Sequence, residues 1–343
     1  MNSFRRVLIV GCAALGALGL AGFAQAQSKA KYTARIGHLE APTQPRHQGL
    51  VKVAETVRQR TNGEVEFQLF PSSQLGNARQ MIEGTQLGTE EGTVMPAAFL
   101  GGFNPAISIL DIPYIYPSDR AAADKLRDGL FGKALLDSFS SRGFVAIELW
   151  PNGRKSLTSN KPLDSLEALK GQKFRVMDSK ILIEQFAAVN ASAVAIPFGE
   201  LYTALQTGVV DGEENPLDTI STMKFNEVQK YLVVTEHGAM EDVVLFNPGW
   251  WSKLPAAHRG VIVKAFAEER PEFERNKEAA QKVALDAIRA AGKTQVRIAD
   301  EKERARLREA MYPRARAAYV ERAGAEGQKL IALYEEERKK LGR

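Results

Sequence analysis

Two consecutive series of strand and helix patterns, meeting at "WPNGRKSL", constrain the fold of this chain more than any other feature of its sequence. The first begins with "YTARIGHL" (32–39) as a strand. In "QGLVKVAETVRQRTNG", Leu50, Val53, Ala54 and Val57 recur at helical spacing and Gly63 ends the helix. "EVEFQLFP" alternates as a strand, "GNARQMIEGTQLG" is a short helix, "EGTVMPAAFL" is strand or loop, residues 118–142 are helical and "FVAIELW" is a strand. The second series repeats the theme: "QKFRVM", "SAVAIP" and "VVDGEEN" are strands, with "SKILIEQFAAVN" and "GELYTALQTG" as helices between them. "YLVVTEHGAMEDVVLFNPGWW" contains two further apolar runs, and from Pro255 the chain is nearly all helix, broken by a possible strand at "GKTQVRI". Alternation of this kind specifies α/β lobes with mostly parallel sheets flanked by helices, and 343 residues are too many for one small core.

The lobes meet near Trp150–Arg154, and a second crossing falls near residues 233–238. The expected division is 27–150 and about 238–280 for the first lobe, 151–237 and about 281–343 for the second. Two crossings make a hinge and a cleft, and ligands of open α/β sheets bind beyond the carboxyl ends of the strands. Residues 1–26 stand apart: Arg5 and Arg6 precede the apolar run 7–23, and "AQA" (24–26) offers a cleavage site, the pattern of a secretory signal peptide. The only cysteine, Cys12, lies inside it, so the chain after Ala26 has neither disulfides nor a thiol nucleophile. Removing Arg5 and Arg6 takes the formal charge from +5 to +3. The remaining basic residues alternate with acids, as in "EKERARLREA", which is the pattern of solvated helix faces and argues against a nucleic-acid surface.

Polar groups at the strand ends are the candidates for function. Phe174 and Val176 can share one side of their strand, which leaves Arg175 on the other, where its guanidinium fork could hold a ligand carboxylate. Arg154 stands at the lobe junction. In "VVDGEENP", Asn215 can donate to an anion and accept from a hydroxyl, or simply cap a turn. Glu213 and Glu214 are adjacent and point to opposite faces of a strand, so they do not form an acid–base pair. From the first lobe, His38, Glu40, Thr93 and Met95 could complete a pocket, with Trp150 and Phe198 as apolar walls; core positions are the alternative for the two aromatics, and a satisfied loop position for His38. Trp250 and Trp251 read as packing residues.

"NGEVEFQLFPSSQLG", "LDIPYIY", "LKGQKFRV", "IPFGELYTALQTGVVDGEENPL" and "WWSKLPAAHRGVI" together resemble the solute-binding proteins of tripartite ATP-independent periplasmic (TRAP) transporters, the DctP-like family. The resemblance implies a two-lobe periplasmic binding protein that closes on a small organic acid, a C4-dicarboxylate by default. It also implies delivery to a permease with one small and one large integral subunit. It assigns the ligand carboxylate to Arg175, a second ligand arginine to Arg154 and a ligand-holding asparagine to Asn215, with Glu214 beside it. The chain departs from the family at Glu213, where Gln is usual. No cofactor, metal or nucleic acid is expected, and a monomer is. Two other functions compete. An enzyme would normally carry G-x-S-x-G, H-E-x-x-H or a phosphate-binding glycine loop; the sequence has none, and its four histidines, His38, His47, His237 and His258, have no ligand spacing. A binding protein that feeds a sensor or chemotaxis receptor would use the same closed lobes.

Overall fold

The computed structural model describes residues 30–342, so the expected signal peptide and Cys12 lie outside the described residues. The first series gives β1 (Tyr32–Gly37), α1 (Pro45–Arg60), β2 (Val65–Phe70), α2 (Ala78–Leu87), β3 (Gly92–Pro96), α3 (Arg120–Asp128), α4 (Leu130–Asp137) and β4 (Val145–Ser159). The second gives β5 (Lys173–Val176), α5 (Lys180–Ala187), β6 (Ser192–Ala195), α6 (Leu201–Gln206), β7 (Gly212–Pro216), α7 (Leu217–Thr222) and β8 (Tyr231–Phe246). The chain closes with α8 (Pro248–Lys253), α9 (Ala256–Ala291), β9 (Gln295–Ile298) and α10 (Glu301–Lys340). Local chemistry fixes several boundaries. Asn77 and Gln80 exchange side-chain and backbone hydrogen bonds in a capping box that starts α2, and Gly88, at φ 84°, ends it.

One mixed sheet runs through both lobes in the order β2-β1-β3-β8-β4-β7-β5-β6, with β9 paired to β8. Pairings among β1, β2 and β3 and among β5, β6 and β7 are parallel, as expected of each lobe. The long strands β4 and β8 run antiparallel to each other and to β7 and β3. The two crossings are therefore not loops. Both lie inside continuous strands, where the β4–β8 register shifts between Pro151 and Arg154 and again between Lys155 and Leu157. Gly153, at φ 96°, and Glu236, at φ 51°, mark the irregularities. Bulges of this kind bend and twist a ribbon without cutting it.

The first lobe is built on two apolar clusters, one around Ile109, Leu110, Phe131 and Leu245, the other around Ile36, Leu50, Trp150 and Phe246. The second lobe has its own, around Phe174, Val176 and Phe186 and around Leu201, Leu205 and Ile220. The C-terminal helices belong to both. Helix α9 contributes Phe266 and Phe273 to the first lobe and Ala284 and Ile288 to the second. In α10, Leu307 and Met311 pack in the second lobe, whereas Ala315, Tyr319, Ile331 and Tyr334 pack in the first. In α9 the change of partner falls between Phe273 and Ala284, and α10 then changes back between Met311 and Ala315. The second change falls next to Pro313, and α10 bends further at Gly324, so one long helix can follow two cores.

Candidate ligand-binding site

Between the lobes, beyond the ends of β3, β5 and β7, lies a cavity of about 20 Å³. A volume of that size holds a water molecule but no organic acid. Leu39, Pro96, Phe99, Met177, Phe198 and Met240 give it apolar walls, and Glu40, Arg46, Arg175, Asn215 and Thr219 give it polar ones.

Arg175 enters from β5. Its neighbours Phe174 and Val176 turn into the second lobe's core, where Phe174 stacks on Phe186 at 4.6 Å, so strand alternation drives the arginine to the other face. The side chain is fully buried; Nε donates to the Ile196 carbonyl at 2.9 Å, while Nη2 has no partner. Burial pulls its pKa down to about 10, against the nearby charges of Glu213 and Glu214. The Phe198 ring lies 6.0 Å from the guanidinium carbon. Asn215 enters from β7, its Nδ2 donating to Glu213 Oε2 at 2.5 Å. Glu213 also accepts from the Thr158 hydroxyl at 2.9 Å. Burial raises its pKa to about 7, against those two hydrogen bonds and the Arg175 charge.

The first lobe offers Arg46, at the start of α1. Its Nε and Nη2 donate to Asp242 at 2.6 and 2.8 Å, and Nη1 has no partner. The Thr219 hydroxyl, on α7, is likewise buried and unpaired. Buried polar atoms are nearly always hydrogen-bonded in folded proteins. Three unpaired ones among the lining residues of one cavity make it receptive to a ligand rich in oxygen acceptors.

The other expected residues fall differently. Glu40 lines the cavity, accepting from Asn152 at 3.1 Å; burial alone would raise its pKa, but Arg46, Lys277 and Asn152 bring it down to about 2. His38 does not line it: the ring is buried, meets His47 at 3.1 Å, and is pushed by burial and Arg46 down to about 3. The Thr93 hydroxyl donates to the Gly37 carbonyl at 2.9 Å, and Met95 is fully buried in the first lobe's core. Trp150 is core as well, stacked on Phe273 at 4.7 Å with its Nε1 donating to the Phe266 carbonyl at 3.2 Å. Glu214 is taken up by Lys155 at 2.6 Å, Gln185 at 2.6 Å and His237 at 2.7 Å; Lys155 and His237 outweigh its burial and hold it near a pKa of about 2.

Arg154 requires a correction. It points away from the cavity, its Nη1 and Nη2 donating to the Tyr116 and Pro117 carbonyls at 3.3 and 2.6 Å. Its neighbour Lys155 takes the inward side of β4, because consecutive strand residues face opposite ways. Sequence reasoning missed Arg46, Thr219, Phe99, Met177 and Met240. For Arg46 a signal was present: Pro45 suits the first position of a helix, which places the next residue just beyond the end of β1.

Among the described residues, no group of three or more histidine, cysteine, aspartate and glutamate residues could hold a metal ion, and no helix is long and apolar enough to cross a membrane. The sequence profile of the family described as "Bacterial extracellular solute-binding protein, family 7", DctP, matches residues 36–322. The chain belongs to this family. Solute-binding family 7 is a family of binding proteins, not enzymes, and its members are periplasmic proteins that take small organic acids for TRAP transport. One family 7 relative, the C4-dicarboxylate-binding periplasmic protein DctP of Rhodobacter capsulatus, is 35% identical over 94% of this chain and 96% of that protein. A TRAP periplasmic solute-binding protein from Desulfovibrio salexigens, solved with bound orotic acid, is 67% identical, with a TM-score of 0.89 over 90% of this chain and 99% of its own. Another, from Sulfurospirillum deleyianum with bound succinate, is 32% identical, with a TM-score of 0.82 over 89% and 99% of the two chains.

Proposed function

We propose that this protein is exported by its signal peptide, captures a planar ring carboxylate of the orotate type between its lobes, and delivers it to the small and large integral subunits of a TRAP permease. The observation that carries the reading is the unpaired Nη2 of Arg175, which shares a cavity with the unpaired Arg46 Nη1 and Thr219 hydroxyl. A carboxylate enclosed there loses its water and needs a positive donor in return. Arg175 supplies one, with Asn215 beside it. A ring bearing carbonyls supplies acceptors for the other two donors, and Phe99, Phe198 and Met177 supply flat, polarisable walls. A C4-dicarboxylate, the default of the sequence alone, would want a second uncompensated cation. Arg46 is a poor one, because Asp242 already pairs with it on two nitrogens. The 67% identity to a protein solved with orotic acid favours the same ligand class.

Titration calorimetry with orotate and succinate tests this. Orotate is expected to bind at micromolar Kd or tighter, and succinate at least about a hundredfold more weakly, the equivalent of about 2.7 kcal/mol. Tighter binding of succinate would overturn the ring preference, and binding of neither acid would overturn the ligand class. Intact-mass measurement of the exported chain should place its first residue at Gln27.

A further inference from the structure

Arg154, left out of the ligand cavity, lines a separate pocket of about 350 Å³ on the lobe crossings. Its walls come from four places: the turn Tyr114–Ser118 of the first lobe, Arg154 on β4, Glu236 on β8, and Arg304, Arg308 and Arg338 on α10. All four arginines are half-buried. Only Arg304 has an acidic partner, Glu236; among the described residues Arg154, Arg308 and Arg338 form no ion pair. Arg154 is held instead by two carbonyls, and Arg308 lies over the Tyr312 ring at 5.6 Å. The one other carboxylate of the lining, Glu301, is exposed. Four guanidinium groups around one concavity repel each other, and two carboxylates offset half of that charge. An anion with at least two negative oxygens would offset the rest, and guanidinium forks match such oxygens in geometry.

Backbone conformation adds a second observation. Tyr114 and Glu236, both lining the pocket, sit at positive φ, 57° and 51°, where residues other than glycine are strained. Such strain collects at binding and switch sites. The Tyr114 N–H donates to the His237 carbonyl at 2.7 Å, which ties the first lobe's turn to the crossing strand.

We propose that this pocket is a second ligand site, one for a small oxyanion carrying two or more negative charges, of the phosphate or polycarboxylate kind. It is distinct from the cavity of Arg175, with which it shares no lining residue. Because its walls belong to both crossings and to α10, an anion held there bears on the same elements that must move when the lobes part.

Titration calorimetry at low ionic strength, with inorganic phosphate and with citrate as separate probes, tests the proposal on the full mature chain. Saturable binding of at least one probe is expected below about 5 mM. Preference for phosphate would assign the site to phosphate groups, and preference for citrate to polycarboxylates. The double variant Arg308→Ala/Arg338→Ala should weaken that binding at least about tenfold, as loss of charge-assisted hydrogen bonds does. Arg316→Ala, which removes a single positive charge from the same helix outside the pocket lining, should change it less than about twofold. Unchanged thermal unfolding would show that the double variant is folded; if it is not, Arg308→Gln replaces it with the same expectation. The proposal is overturned if neither probe saturates up to about 20 mM, or if Arg316→Ala weakens binding as much as the pocket variant.

Discussion

Arg175 has the clearest burden at the scale of single residues. It is a cation with no ion pair, buried, with one nitrogen open to the cavity. Truncating one partner of a buried charge pair costs about 2–5 kcal/mol. Arg175→Ala should therefore weaken ligand binding by roughly 30- to several-thousand-fold, and Arg175→Lys should recover little, since an ammonium cannot reproduce the fork. Calorimetry on both variants decides; binding within about threefold of wild type would remove Arg175 from the site. Glu213 makes a different prediction. Its carboxyl ionises near 4.5 when unfolded and at about 7 when folded. Between these values the unfolded chain releases a proton that the folded chain keeps, so stability falls as pH rises through the window, by up to about 3 kcal/mol. Glu213→Gln keeps an acceptor for Asn215 and removes the penalty. Urea unfolding should show the variant more stable than wild type by about 1–3 kcal/mol at pH 8, with the gap closing by pH 4.5. A gap that does not depend on pH would mean that Glu213 is not the titrating group. Which site residues were legible follows from the same chemistry. Arg175 could be placed because plain alternation along a short strand holds there. Arg154 was assigned from its place at the lobe junction and in the family motif; in the structure, past the bulge at Gly153, it is Lys155 and not Arg154 that faces inward. Arg46 depends on Asp242, 196 residues away, and no local pattern reveals such a pair.

The decisive elements are β4 and β8. Short elements such as β2 and α1 could be read from periodicity, because each buries one face and carries ordinary turn residues at its ends. The long strands could not: Asn152-Gly153 and Glu236-His237-Gly238 look like turns and break each strand's apolar pattern in two. Pairing with a partner across both lobes keeps each strand whole despite those residues. Gly153 is where this arrangement is most exposed to substitution. A Cβ there would stand 3.0 Å from Gln281 Nε2 and 3.2 Å from the Pro216 side chain, on a backbone at φ 96°. Gly153→Ala should cost about 1–3 kcal/mol, the range for a strained backbone position. Urea denaturation measures it, and a change below about 0.5 kcal/mol would show that the crossing relaxes freely.

In the whole molecule, the lobes stand close together. Ser179 of the second lobe donates to Asp111 of the first at 2.7 Å, and Arg79 approaches Asp178 across the mouth at 3.9 Å. The cavity they enclose is too small for the proposed ligand. Binding therefore requires the lobes to part and then to close on the acid, with the bends in β4 and β8 as the flexing points. Small-angle scattering should give a smaller radius of gyration with saturating orotate than without it. Identical curves would argue that the lobes do not move as bodies.

The continuity of the sheet also sets the order in which the chain can fold. Strand β3 lies beside β8, and Gly92 pairs with Phe246, about 150 residues later in the chain. Strands β1 to β3 thus have no inner neighbour until residue 246 is available, and α9 and α10, which cover both lobes, come later still. Closing a loop of that length adds little to the free energy, because each doubling costs only about 0.6 kcal/mol, but pairings so far apart in sequence form slowly. The first lobe's core is therefore incomplete until β8 and the C-terminal helices are present. A chain cut short before α9 would thus leave apolar surface bare in both lobes.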